Sequence, residues 1–200
     1  MGGDSESNKT SMVENLYSAY PFPGIENLDE SILPLKIGNY GSGLEIRCIG
    51  ISHLHDILHY VFNGFWDKNK KMRILIAGGG TGQHTYWLCQ QLKVSGYDYE
   101  IIHFELSKKA IEVAKSIIEK YDLKNVKLVR GSLLELDSFD LGKFDYIDCF
   151  GVLHHTESPL KSLIQLERCL KDDGGMGIMV YGKYGRAGVY KMQSIMKLLG

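Results

Sequence analysis

Three glycines at alternate positions, Gly78, Gly80 and Gly82, close the apolar run Ile74-Leu75-Ile76-Ala77. A chain leaving a buried strand through such residues turns sharply and can lay its backbone against a ligand, because no side chain fills the space. A phosphate-cradling loop needs a lysine directly after its last glycine, and Gln83 stands there. The dinucleotide fingerprint would put its third glycine at the same position, so Gln83 argues against that pattern too. What remains is G-x-G-x-G, with a second feature downstream: Glu105 ends the apolar stretch Ile101-Ile102-His103-Phe104, 23 residues after Gly82. A lone carboxylate at the tip of the next strand can accept both hydroxyls of a ribose. Together these features point to a nucleoside ligand and outweigh a plain structural turn beside a surface acid.

Other side chains could do chemistry beside such a ligand. His154, His155 and His59 are the candidate bases for an acceptor that must lose a proton. For His154 and His155 the plainer reading, a loop histidine bonded to backbone, outweighs a catalytic one. His55 and His59 share a helix face, but no cysteine or carboxylate completes a set around them, so no metal is expected. The expected role of His59 and Tyr60 is instead on a capping helix near the substrate mouth. Tyr17, Tyr20 and Phe22 could fold over a cofactor, although ordinary packing accounts for them equally simply. Lys183 and Arg186 could meet an anionic acceptor, with a solvated loop as the simpler account.

The elements that must position these groups follow from periodicity. Short apolar strands are expected at Arg73 to Ala77, Ile101 to Glu105, Val126 to Val129, Tyr146 to Phe150 and Gly177 to Tyr181, as in a parallel sheet buried on both faces. Helical spacing marks Ser52 to Phe65, with Ser52 as cap, a helix holding Tyr86, Trp87 and Leu88, then Ser107 to Tyr121, Leu160 to Leu170 and Ala187 to Leu199. Alternation of this kind predicts an α/β fold, a Rossmann-like parallel sheet with helices on both faces and right-handed crossovers. Residues 1–11 are polar and expected to be disordered. The prolines and glycines between Pro21 and Gly50 suggest an extended, draped stretch within a cap segment spanning residues 12–71, ahead of a ligand-binding core over 72–200.

Composition excludes more than it names. The chain has 200 residues, 44% of them hydrophobic, and a formal net charge of -1, which leaves nucleic-acid binding unsupported. No run approaches the roughly 20 apolar residues of a membrane span, and nothing resembles a secretory signal. Cys48, Cys89, Cys149 and Cys169 have no paired spacing and read as reduced thiols, so a cytoplasmic location is the default. Oligomeric state leaves no mark in the sequence.

Several of these stretches resemble the class I S-adenosylmethionine-dependent methyltransferases. ILIAGGGTG is similar to the family's first motif, Glu105 to its ribose ligand, and Gly131-Ser132-Leu133 to the turn that holds adenine. FDYIDCFGVLHHTESP resembles the fourth motif, and LKDDGGMGIMVYG the fifth strand with its preceding turn. The flanks AYPFP, LHYVFNG and YGRAGVY resemble a subgroup of large bacterial methyltransferases whose biochemistry is poorly characterised. The resemblance implies that S-adenosyl-L-methionine is the cofactor. It also implies a contact set of Ala77, Gly78, Gly79, Gly80, Thr81, Gly82, Glu105, Leu106, Ser132, Leu133, Phe150 and Gly151. Ile76 stands where the family usually carries an acid, and Ser132 where it often does. The family core continues past its fifth strand through a helix and two further strands, so a sheet truncated before its last two strands is expected.

Three functions compete on these grounds. The first is an enzyme methylating a small or medium-sized acceptor. The second is a non-catalytic cofactor-binding or regulatory module of the same fold, suggested by Ile76 and the lack of an evident base. A nicotinamide-dependent oxidoreductase is the third, and it rests on fold analogy alone.

Overall fold

The structure is a computed structural model that describes residues 3–19, the first seven of these as backbone, and residues 53–199. The draped stretch from Pro21 to Gly50, the cap Ser52, and the residues Tyr20, Phe22 and Cys48 lie outside the described residues.

Five strands form one sheet: β1 (Met72–Ala77), β2 (Tyr99–Glu105), β3 (Val126–Arg130), β4 (Phe144–Phe150) and β5 (Leu170–Met179). Their order is β3-β2-β1-β4-β5 and every pairing is parallel. The chain winds outward from β1 to β3, then returns to β1's other side with β4. That reversal opens a crevice above the carboxyl ends of β1 and β4, where open α/β sheets bind ligands.

Side chains alternate across the sheet and build two cores. Ile74, Ile76, Ile101 and Tyr146 face α2 (Leu54–Val61) and α3 (Gln83–Val94), meeting Leu54, Ile57, Leu88 and Leu92. Partly buried Ile118 and Tyr121, on or just beyond α4 (Lys108–Lys120), close the same side. Leu75, Ala77, Ile102, Phe104 and Ile147 face the other way, toward Leu166 of α5 (Pro159–Arg168) and toward Leu133 and Leu136 of a 3-10 segment at Leu133–Phe139. Ser107 caps α4 by accepting from the Ala110 N–H at 3.3 Å, and Pro159 starts α5 with its ring already set to a helical φ.

Several boundaries differ from the sequence reading, each for a local reason. α2 stops at Val61, short of Phe65, because Asn63 (φ 53°) and Gly64 (φ 82°) take left-handed conformations and the Gly64 N–H turns back to the Leu58 carbonyl. α5 ends at Arg168, and Leu170 instead begins β5 opposite Phe144. β5 then skips register, resuming at Gly175 opposite Tyr146 and ending at Met179 rather than Tyr181. At Gly174 any Cβ would lie 2.8 Å from the Asp145 carbonyl oxygen, so only glycine lets the strand pass so close to β4. Leu160 and Ile164 are exposed, leaving Leu163 and Leu166 to carry the packing of α5.

The polar N-terminus is also corrected: α1 (Gly3–Ala19) is helical through the residues whose composition suggested disorder. Its C-terminal half is tied to the core, with Thr10 donating to Glu157 (3.0 Å), Glu14 paired to Arg130, and the Tyr17 carbonyl accepting from the Ser107 hydroxyl (3.2 Å). Once that half is held, extending the helix toward Gly3 adds one hydrogen bond per residue without a new nucleation cost. α6 (Ala187–Leu199) matches the expected bounds, and none of its described residues is buried.

Candidate functional site

A cavity of about 500 Å³ lies above the carboxyl ends of β1, β2 and β4. Its floor is the turn that leaves β1. Gly78 (φ 76°), Gly80 (φ 56°) and Gly82 (φ 90°) all take left-handed backbone, and the Gly78 and Gly79 N–H groups donate to the Phe104 carbonyl at 2.8 and 3.1 Å. The turn is therefore stitched to the tip of β2. Beneath it His103, fully buried, shares a 2.7 Å bond between Nδ1 and the Thr85 hydroxyl; burial holds its pKa down to about 4, so the ring is neutral. A Cβ at position 79 would sit 2.3 Å from that ring.

Glu105 stands where the spacing placed it. One carboxylate oxygen accepts from the Gly80 N–H at 3.0 Å and the other from the Ser107 N–H at 2.8 Å. Burial raises its pKa, against the lowering effect of the backbone donors at Ser107, Gly80 and Leu106. A carboxylate has about four lone-pair sites. The backbone leaves acceptor capacity on the cavity side.

Ten of the twelve expected contact residues line this cavity: Ala77, Gly78, Gly79, Gly80, Glu105, Leu106, Ser132, Leu133, Phe150 and Gly151. Thr81 and Gly82 do not. Thr81 is buried beneath the turn, and a Cβ at Gly82 would lie 3.0 Å from Ala114 of α4, so that glycine serves helix packing.

The histidines separate. His155 lines the cavity, edge-on to Tyr17 at 5.9 Å between centroids, with its pKa lowered by burial and by Arg186. His154 does not line it. Its ring lies 3.8 Å from that of Tyr181, both its nitrogens are buried without a partner, and burial, then His155 and Arg186, holds its pKa down to about 4. It is thus a neutral packing histidine and not the backbone-bonded loop residue expected. His59 and Tyr60 are exposed and do not reach the cavity: Leu54, Ile57, Leu58 and Val61 set the inward stripe of α2, and His59 falls on the opposite face, stacked on His55. Arg186 lies over the Tyr181 ring at 3.9 Å.

Sequence reasoning missed a second acid. Asp148 of β4 is buried at the cavity wall, paired to Nδ1 of His84 at 3.2 Å and accepting from the Tyr146 hydroxyl at 3.3 Å. It is the cross-strand partner of Ile76. An acid inside a strand buried on both faces was the available signal, since an unpaired charge there is too costly to be incidental. Thr10, Val13 and Tyr17 of α1 also line the cavity and roof it.

With this geometry in view, likeness to known proteins is informative. The methyltransferase-domain family matches residues 68–183, more than half of the chain, and the chain belongs to that family, the class I S-adenosylmethionine-dependent methyltransferases. S-adenosylmethionine is the family's cofactor. An uncharacterized protein of Synechococcus sp. is 32% identical over 95% of this chain and 41% of its own length. The uncharacterized methyltransferase YcgJ of Bacillus subtilis is 33% identical over 51% of this chain and 38% of its own length. This chain thus spans about two fifths of the length of each of these two relatives. Among solved structures, a precorrin 8w decarboxylase of Methanobacterium thermoautotrophicum superposes with a TM-score of 0.50 at 16% identity, over 80% of this chain and 74% of that one, a likeness of fold. Among the described residues no helix is long and apolar enough to cross a membrane.

Proposed function

We propose that this chain transfers a methyl group from S-adenosylmethionine to a small or medium-sized acceptor. The observation that carries the reading is the Glu105 carboxylate, held to the Gly80 N–H at 3.0 Å and opening onto a 500 Å³ cavity above the strand reversal. That volume lies within the usual range for enclosing a small ligand. The donor set also fits the cofactor: a desolvated acceptor with lone pairs to spare is what two adjacent ribose hydroxyls would satisfy, relieving the burial that raises its pKa. Ser132, Leu133 and Leu134, after β3, are placed to hold the base, and Ala77 to Gly80 let the nucleoside approach the backbone.

The cofactor brings a methyl on a positively charged sulfur, already activated for in-line displacement. What remains for the protein is to place the nucleophile and keep out water. Tyr17 and Val13 lie over the cavity, and its size of about 500 Å³ supports a small or medium-sized acceptor beside the cofactor. His155, held neutral at the cavity wall, is the side chain best sited to accept a proton. Three buried free cysteines, Cys89, Cys149 and Cys169, suit a reducing compartment such as the cytoplasm.

Calorimetry with S-adenosylhomocysteine tests the site, and transfer of a labelled methyl group to a panel of metabolites tests the activity. Binding and transfer are expected. Absence of binding would overturn the reading.

A further inference from the structure

The part of the cavity left over by the expected cofactor contacts is aromatic and acidic. Its wall there includes Tyr17 of α1, His155, Glu157, and Met179 and Tyr181 at and just past the end of β5. Three carboxylates line the cavity, Glu105, Asp148 and Glu157, and among the described residues no lysine or arginine does. Two of the three are engaged: Glu105 takes backbone donors, and Asp148 pairs with His84. Glu157 differs. Half-buried on the wall, it accepts one bond, from the neutral Thr10 hydroxyl at 3.0 Å, and no cation pairs with it among the described residues. Arg186 is not part of the wall; its guanidinium lies over the Tyr181 ring at 3.9 Å.

Such a wall sorts acceptors by charge. A carboxylate or phosphate ester would enter a desolvated space whose uncompensated charge is already negative, with no lysine or arginine to offset the repulsion. An ammonium instead meets a carboxylate with lone pairs to spare, beside the rings of Tyr17 and Tyr181, whose faces attract a cation. The base on the same wall suits that choice. An alkylammonium holds its proton with a pKa of roughly 10, far closer to the ordinary imidazole value than an alkyl hydroxyl, which resembles water at about 15.7.

We infer that the acceptor is an amine, bound as its ammonium to Glu157 and methylated on nitrogen after His155 takes one N–H proton. The lone pair so freed forms the N–CH₃ bond as the S–CH₃ bond of the donor breaks, and the electron pair of that bond stays on sulfur as a thioether. The product leaves as a methylated ammonium, and His155 passes its proton to water. The inference rests on the methyl-transfer reading and adds the acceptor's class to it.

Labelled-methyl transfer to matched compounds tests it, with phenylethyl, cyclohexyl and linear alkyl skeletons each carrying an amine, a hydroxyl, a carboxylate or a phosphate. Label is expected on the nitrogen of amines, at least about tenfold faster than on any matched partner. In Glu157→Gln, nearly the same shape without the charge, KM for the amine should rise about tenfold while kcat stays within about threefold, and Glu157→Asp should restore part of the loss. Calorimetry with S-adenosylhomocysteine should give a Kd within about threefold of the unaltered protein for both variants, which reports that they are folded. Label on oxygen, transfer to carboxylates or phosphates at rates comparable with amines, or an unchanged KM in Glu157→Gln would overturn the inference and leave methyl transfer standing. Label on no compound, while the unaltered protein binds S-adenosylhomocysteine, would also overturn it and leave the cofactor site standing. Failure of the unaltered protein to bind S-adenosylhomocysteine would overturn both.

Discussion

Replacing Glu105 by alanine removes the one side chain that joins the glycine turn to the ribose position. In the ligand-free protein the loss is modest. Of the two N–H groups it frees, that of Gly80 lines the cavity, where water can replace the carboxylate, while that of buried Ser107 loses its acceptor at a cost of about 1–3 kcal/mol, offset in part because the variant no longer buries a charge whose pKa burial raises. In the complex the loss is large. Hydrogen bonds from two hydroxyls to a charged acceptor are worth about 1.5–3 kcal/mol each, so the variant should lose about 3–6 kcal/mol of binding. That is roughly a 10²- to 10⁴-fold rise in Kd. Glu105→Gln, which keeps one acceptor oxygen but turns an amide NH₂ toward a backbone donor, should fall between the two. The assay is calorimetry with S-adenosylhomocysteine and with 5′-methylthioadenosine, both of which carry the ribose, alongside thermal melts of the free proteins. If Glu105→Ala binds both ligands within threefold of the unaltered protein while its melting temperature holds, the carboxylate does not read a ribose and the nucleoside site is refuted.

Three further outcomes follow from the same geometry. Because the folded, empty protein holds the Glu105 proton more tightly than the unfolded chain, this group adds stability as pH falls toward its ordinary value of 4.5 and removes it above the raised pKa. Nucleoside affinity should run the opposite way, weakening as pH falls through the raised pKa toward 4.5 and the acceptor is protonated; flat affinity down to pH 4.5 in the unaltered protein would contradict it. Gly79→Ala drives a methyl to within 2.3 Å of the buried His103 ring, an overpacking worth about 1–3 kcal/mol, and should lower Tm by several degrees. The same change made in His103→Ala should cost less, and equal cost in both backgrounds would place the clash elsewhere. Arg130→Ala breaks an exposed ion pair to Glu14 worth about 0.2–1 kcal/mol and should change nucleoside affinity less than about fivefold, whereas deleting residues 1–19 removes the roof formed by Thr10, Val13 and Tyr17 and should speed ligand release well beyond that in stopped-flow measurements.

Much of the frame was legible because it depends on local rules. The parallel strands read as short apolar runs since both faces of the sheet are covered, and the cofactor turn read from glycine spacing because only glycine takes left-handed backbone at alternate positions without strain. What escaped the sequence depends on tertiary placement. Composition along α1 is polar and gave no sign of order; the helix persists because Thr10, Glu14 and Tyr17 find partners at Glu157, Arg130 and Ser107, residues more than 85 positions away. The face of α2 that carries His59 could not be oriented until the packing of Leu54 and Ile57 was known. Thr81 and Gly82 share the motif with Gly78 to Gly80, but α4 packs against the end of the turn and takes Gly82 for itself. His84 and Asp148 sit 64 positions apart in sequence, and only the pairing of β1 with β4 brings them to one wall.

The burial of Asp148 limits what its neighbour at position 76 can carry. β2 and β4 flank β1, so Glu105 and Asp148 stand on either side of the glycine turn, two interstrand spacings or roughly 10 Å apart. An acid at position 76 would crowd a second buried negative charge beside Asp148, its cross-strand neighbour, and like charges in one desolvated site push at least one pKa up and out of service. Isoleucine at position 76 adds no such charge beside Asp148.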